Sequence, residues 1–139
     1  MTFLLDTNVI SDLRRPERSP KLQEWMQKQA TDEFFCSCVS ILEIEIGVLR
    51  AVRRDARKAG VLRRWIDDKV LPRFLGQIIP IDTEIALRCA ALHVPDPRPE
   101  RDAWIAATAL VHRMAVVTRN VRDFAPMGVR VINPWDDND

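Results

Sequence analysis

Phe3-Leu4-Leu5-Asp6-Thr7-Asn8-Val9-Ile10 is the stretch on which the fold turns. Residues 3 to 5 form an unbroken apolar run, and Asp6, Thr7 and Asn8 stop it abruptly. A short run without polar alternation reads as a strand buried on both faces, the pattern of a central strand in a parallel sheet. In open α/β sheets, functional groups gather beyond the carboxyl ends of the strands, which puts chemistry at Asp6. The same three polar residues also suit the N-cap of a short helix. This stretch by itself leaves cap and site equally open, and the other acids decide.

Outward from Asn8, residues 9 to 13 make a short helix that ends before Pro16. Ser19-Pro20 is a second helix start, an N-cap followed by proline, with Leu22, Trp25, Met26 and Gln29 as its stripe. Phe34 to Val39 is a second strand. Ser40 opens a strong helix to about Arg54, and a third long helix covers about residues 56 to 70, ended or kinked at Pro72. Gln77 to Ile81 is a third strand, and Asp82 caps the helix running to His93. Residues 96 to 99 are a rigid loop, and Pro99 begins a very apolar helix. Residues 114 to 118 and 129 to 132 are the last strands, followed by an acidic tail from Asp136 to Asp139. Strands alternating with helices predict an α/β, doubly wound parallel sheet in one domain, residues 1–139.

The chain has 139 residues, enough to bury a real core, and 47% of them are hydrophobic. Lysine and arginine number 21 against 20 acids, a net charge of +1, so only a local patch can attract nucleic acid. There is neither a membrane-length apolar run nor a signal-like N-terminus, which makes a cytoplasmic location the default. Cys36, Cys38 and Cys89 are odd in number and lack metal spacing, so they read as reduced thiols, with Cys36 and Cys38 on one strand face. His93 and His112 have no partners at ligand spacing.

Four acids fall at strand ends or helix starts: Asp6, Glu43, Asp102 and Asp123. In a doubly wound sheet Asp6, Glu43 and Asp123 belong to one edge. Asp102 heads a helix that precedes a strand, and simple alternation would put it at the opposite edge. Each has a purely structural explanation. Ser40-Ile41-Leu42-Glu43 is a capping box, Asp102 suits a helix N-terminus, and Asp123 suits a turn. Yet Asp102 starts a helix with almost no other polar residue before Thr108, and a buried carboxylate is costly unless paired or bound to metal. Clustered acids short of cations suit a hard divalent ion such as Mg²⁺ or Mn²⁺.

Four blocks carry a resemblance: Leu5-Asp6-Thr7-Asn8-Val9-Ile10-Ser11, Ser40-Ile41-Leu42-Glu43-Ile44, Asp102-Ala103-Trp104-Ile105-Ala106-Ala107-Thr108-Ala109, and Thr118-Arg119-Asn120-Val121-Arg122-Asp123-Phe124. In order and extent they resemble the acidic blocks of the PIN-domain family, and more closely its VapC and FitB-type toxins of type II toxin–antitoxin modules, including plasmid-stability proteins. The ending Ile132-Asn133-Pro134-Trp135 is similar to endings in that group. The resemblance implies a three-layer fold with a five-stranded parallel sheet and all four acids in one pocket, Asp102 included. It implies Mg²⁺- or Mn²⁺-dependent hydrolysis of RNA, with Asp6, Glu43, Asp102 and Asp123 holding the ion and Asn8, Ser40, Thr118 and Asn120 supporting them. It also implies a cognate antitoxin and a homodimer, forming a heterotetramer or larger complex with that antitoxin. Trp65, Ile66 and the Val48-Leu49 region offer the apolar surface for pairing. Arg53, Arg54, Arg57, Lys58, Arg63 and Arg64 are candidates for RNA phosphates, or a solvated face.

Competing readings are weaker. A dehalogenase-like phosphatase wants aspartate at position 8, where Asn8 stands, and a receiver domain wants an aspartate after its middle strand and a lysine after its last. A non-catalytic subunit of a DNA-regulating plasmid-stability complex is the remaining alternative, which the intact acid set disfavours.

Overall fold

The computed structural model describes residues 1–136. Five parallel strands make the sheet: β1 (Phe3–Leu5), β2 (Phe34–Ser37), β3 (Ile78–Ile79), β4 (Ala115–Val117) and β5 (Val131–Ile132), in the order β3-β2-β1-β4-β5. β1 is central as expected, with Leu4 opposite Phe35 on one side and Val116 on the other. The helices are α1 (Thr7–Asp12), α2 (Pro20–Gln27), α3 (Cys38–Arg54), α4 (Ala56–Trp65), α5 (Leu71–Arg73), α6 (Thr83–Leu92), α7 (Glu100–His112) and α8 (Val121–Phe124). No helix among the described residues is long and apolar enough to cross a membrane.

The apolar run of β1 feeds two cores. Phe3 and Leu5 join Val9, Leu22, Ile44 and Val70 on one face of the sheet. Leu4 joins Ile85, Ile105, Ala106 and Phe124 on the other. Leu4 and Leu5 are fully buried, each worth about 1.5–3 kcal/mol relative to exposure, so the central strand is held from both sides. Phe3, Trp25 and Phe34 meet ring to ring, Phe3 and Trp25 edge-on at 5.0 Å, and this cluster docks α2. The alanines of α7 are buried without bulk, which lets that helix lie close to the sheet.

Several local expectations need correction. β2 stops at Ser37, whose side chain accepts from the Val39 amide at 3.0 Å and caps α3. Ser40 is therefore inside the first turn, the capping box is not formed, and Cys38 is helical rather than beside Cys36 on a strand. Ser19 precedes α2, but its hydroxyl donates to Asp12 at 3.3 Å instead of capping the helix. Pro72 does not end the third long helix. Residues Ile66–Val70 widen into a π turn, in which the Leu71 amide reaches the Ile66 carbonyl, and Pro72 falls in the first turn of α5, where its missing N–H is harmless. Of the apolar residues assigned to pairing, Val48 and Ile66 are core and pack against the sheet, Trp65 is half-buried, and Leu49 is exposed on α3 together with Leu42 and Val52. The tail beyond Asp136 lies outside the described residues.

The cap is testable. Ser37→Ala is expected to cost about 1 kcal/mol, the usual value of an N-cap side chain, and to lower the melting temperature by about 3–5 °C. A larger fall for Ser40→Ala in the same melts would return the cap to Ser40.

Candidate active site

Asp6 serves both readings offered by the sequence. It is the N-cap of α1, its carboxylate accepting from the Thr7 amide at 2.8 Å. It is also the deepest acid at the carboxyl edge of the sheet, only 4% exposed. Thr118, just past β4, donates its hydroxyl to Asp6 at 2.7 Å, and the Asn8 side-chain amide donates at 3.3 Å. The adjacency of β1 and β4 makes the Thr118 contact possible across 112 residues of sequence. No cation pairs with Asp6 among the described residues. Burial pushes its carboxyl above the usual range, Glu43 and Asp123 add to the rise, and the Thr118 and Thr7 hydrogen bonds oppose it.

α3 leaves the neighbouring strand with Glu43 on the turn facing α1. The Thr7 hydroxyl donates to Glu43 at 2.7 Å and stands 3.0 Å from the fully buried Ser40 hydroxyl. Thr7 thus joins the ends of β1 and β2 through one side chain. Asp102, in the first turn of α7, is pushed up to about 6, by burial first and then by Asp6, Asp123 and Glu43. Four carboxylates close enough to act on one another lie at one edge, which answers the ambiguity over Asp102. Two helices, not one, separate β3 from β4. α6 leaves the carboxyl edge, and the connection 93–99 returns the chain there before α7 begins. Asp123, in α8, is the exposed member of the four.

The supporting residues divide. Asn8, Ser40 and Thr118 meet the acids or the groups holding them. Asn120 contributes its backbone, the amide donating to Thr118 at 2.9 Å, while its side chain is exposed. Among the described residues no three histidines, cysteines or acids converge into a closed ligand set. The donor set nevertheless fits a hard divalent ion. It is all carboxylate oxygen, it carries more negative charge than its surroundings offset, and an Mg²⁺-like ion keeps several waters and needs only one or two direct carboxylates.

Residues 3–128 match the PIN domain. The chain belongs to the PIN-domain family. Toxin FitB of Neisseria gonorrhoeae is 33% identical to it over 140 residues, covering 97% of this chain and 99% of FitB. VapC ribonuclease Y4jK of Sinorhizobium fredii is 28% identical, covering 96% and 98%. Among solved structures, FitAcB from Neisseria gonorrhoeae superposes with a TM-score of 0.86 at 32% identity, covering 96% of this chain and 99% of that one.

This PIN domain also carries residues at the acid edge that the sequence reading missed. Arg101, beside Asp102 in sequence, lies 3.7 Å from Glu43, so the cluster is not wholly short of cations. Arg119, beside Thr118, donates to Asp12 at 2.6 Å and stacks over Trp135 at 4.1 Å, tying the C-terminal Asn133–Trp135 turn to α1. Thr7 looked like a capping residue and is instead the bridge to Glu43. Their only signal in the sequence was position, Thr7 and Arg101 next to an acid and Arg119 next to Thr118. Of the basic residues in the middle helices, Arg63 is taken up by Glu45, with bonds of 2.8 and 2.6 Å, and by Asp67 at 3.8 Å.

Proposed function

We propose that this PIN domain is the ribonuclease toxin of a type II toxin–antitoxin pair, hydrolysing RNA phosphodiester bonds with a divalent ion, Mg²⁺ or Mn²⁺. The observation that carries the reading is the electrostatic cluster of Asp6, Glu43, Asp102 and Asp123, built around a nearly buried carboxylate without a cation partner. Kinship to a VapC ribonuclease and to FitB supports RNA as substrate and a cognate antitoxin as partner. Asp6, Glu43, Asp102 and Asp123 are the residues that would hold the ion, which when bound activates water and offsets charge on the phosphate.

The chain's own groups set the geometry. Thr118, Asn8 and the Thr7 amide fix both oxygens of Asp6, so its carboxylate is presented in one orientation. Thr7 does the same for Glu43. Arg101 sits near enough to Glu43 to meet a phosphate drawn to the edge. No imidazole is required, and neither histidine is among the groups that hold the acids. Removing the Thr7 hydroxyl while keeping its shape, Thr7→Val, is expected to slow cleavage about tenfold, the lower end for groups that orient metal-holding carboxylates. Thr7→Ser should retain most of the rate. Equal rates for wild type and Thr7→Val would mean that the hydroxyl does not orient Glu43.

A cellular experiment tests the whole reading. RNA ends are mapped after brief expression of the chain, beside an Asp6→Asn control. New ends in the wild type alone support a ribonuclease. The same ends in both, or none in either, favour the non-catalytic binding subunit.

A further inference from the structure

A wide groove opens beside the acid edge. It measures about 730 Å³, and Thr7 and Glu43 line one part of it. Its walls come from two separate stretches. Arg14, Arg15 and Arg18 follow α1, and Arg50, Arg54 and Lys58 stand on α3 and α4. None of these six is in an ion pair among the described residues, although the whole chain carries a net charge of only +1. The acids in the groove are otherwise engaged. Asp12 pairs with Arg119, Glu43 is bonded by Thr7, and Asp55 caps α4 through the Arg57 and Lys58 amides. Between the walls the floor is apolar, made by Ile44, Val48, Leu62 and Trp65.

We propose that this groove is the track for single-stranded RNA leading to the acid edge, with the six cations on its phosphates and Trp65 as a surface for a base. Two cationic walls with an aromatic on the floor are what a single strand requires, since charge follows the backbone and any base stacks on an aromatic face. Arg50 and Arg54 are one helical turn apart, so both project along the same wall. Because the groove shares Glu43 with the acid cluster, a strand lying in it passes the carboxylates without bending away. The track replaces the basic set read from sequence. Arg54 and Lys58 are retained, Arg53, Arg57, Arg63 and Arg64 do not line the groove, and Arg14, Arg15, Arg18 and Arg50 are added.

The proposal rests on the ribonuclease reading for its substrate, and its test separates the two. A labelled single-stranded RNA 12-mer is titrated with the full chain in chelator, so that nothing is cut, at several salt concentrations. The variants are Arg14→Gln/Arg18→Gln, Arg50→Gln/Arg54→Gln, and Arg88→Gln on the exposed side of α6 as control; melting curves verify folding. Each groove pair is expected to weaken binding about tenfold or more and to flatten the salt dependence by roughly 0.7 in log–log slope per lost phosphate contact. Arg88→Gln should match wild type. Groove variants that bind RNA like wild type overturn the track, even if the wild type proves to cut RNA. The track is also overturned if those variants lose only a protein partner, which would make the groove a protein dock. Groove-dependent binding by a chain that cuts no RNA leaves the track standing and removes the nuclease reading.

Discussion

Asp6→Asn, Glu43→Gln and Asp102→Asn are each expected to lower RNA cleavage by about 10²–10³-fold or more, the loss typical of removing one electrostatic element from a transition-state site. The fold should survive all three, because each side chain is at the carboxyl edge and outside both apolar cores. Stability should move in the opposite direction from activity. Asp102 is held at about 6 by burial and by three neighbouring acids, so its ionised form strains the metal-free protein at neutral pH. Asparagine keeps the shape and removes the charge. After allowance for solvent screening, the relief is about 1 kcal/mol, or about 3–5 °C in melting temperature. Activity assays and melts in chelator read the two halves of the prediction. Full activity in any two of the variants, or a lower melting temperature for Asp102→Asn, would mean that the four acids are not the strained pocket described.

The second large effect is stabilisation by the ion. A ligand that binds only the folded state adds RT ln(1+[L]/Kd), about 2.7 kcal/mol at a hundredfold excess over Kd. Wild type in saturating Mn²⁺ should therefore melt about 8–12 °C higher than in chelator, whereas Asp6→Asn should gain much less. Asp102 gives this effect a pH dependence. Its folded pKa is raised from 3.8 to about 6, so its protonation favours the fold. That contribution is complete below the unfolded value and is lost as pH rises through about 6. In chelator, the part of the stability due to Asp102 should rise as pH falls from 8 to 5. The Mn²⁺-induced gain should shrink over the same window, because protons and ion compete for one carboxylate. Differential scanning calorimetry at several pH values, with and without Mn²⁺, reads both trends. Equal gains in wild type and Asp6→Asn would place the ion elsewhere.

The central strand and the chemistry at its end were legible because both are local. Three apolar residues followed by Asp-Thr-Asn admit few other structures, and β1 forms where that pattern says. Asp102 was harder. Its edge depends on α6 and the connection 93–99 together returning the chain, a path that no window around Asp102 contains; the family resemblance supplied the answer. The choice between Ser37 and Ser40 as cap could not be read locally either, since both serines have the right chemistry and only the end of β2 selects one. The π turn at Ile66–Val70 has no distinctive residue type, which is why Pro72 looked like a stop. Thr7 bridges to Glu43 over 36 positions, and the basic groove is assembled from residues 14–18 and 50–58. Such pairings exist only after folding.

The most direct measurement is the rate at which the purified chain hydrolyses a labelled single-stranded RNA as free Mn²⁺ is raised from chelated to saturating, with Asp6→Asn run alongside. The wild type should be silent in chelator and rise along a saturating curve, while Asp6→Asn stays at the baseline throughout. Cleavage that persists in chelator, or an Asp6→Asn curve that follows the wild type, would contradict an acid-held ion as the source of the activity.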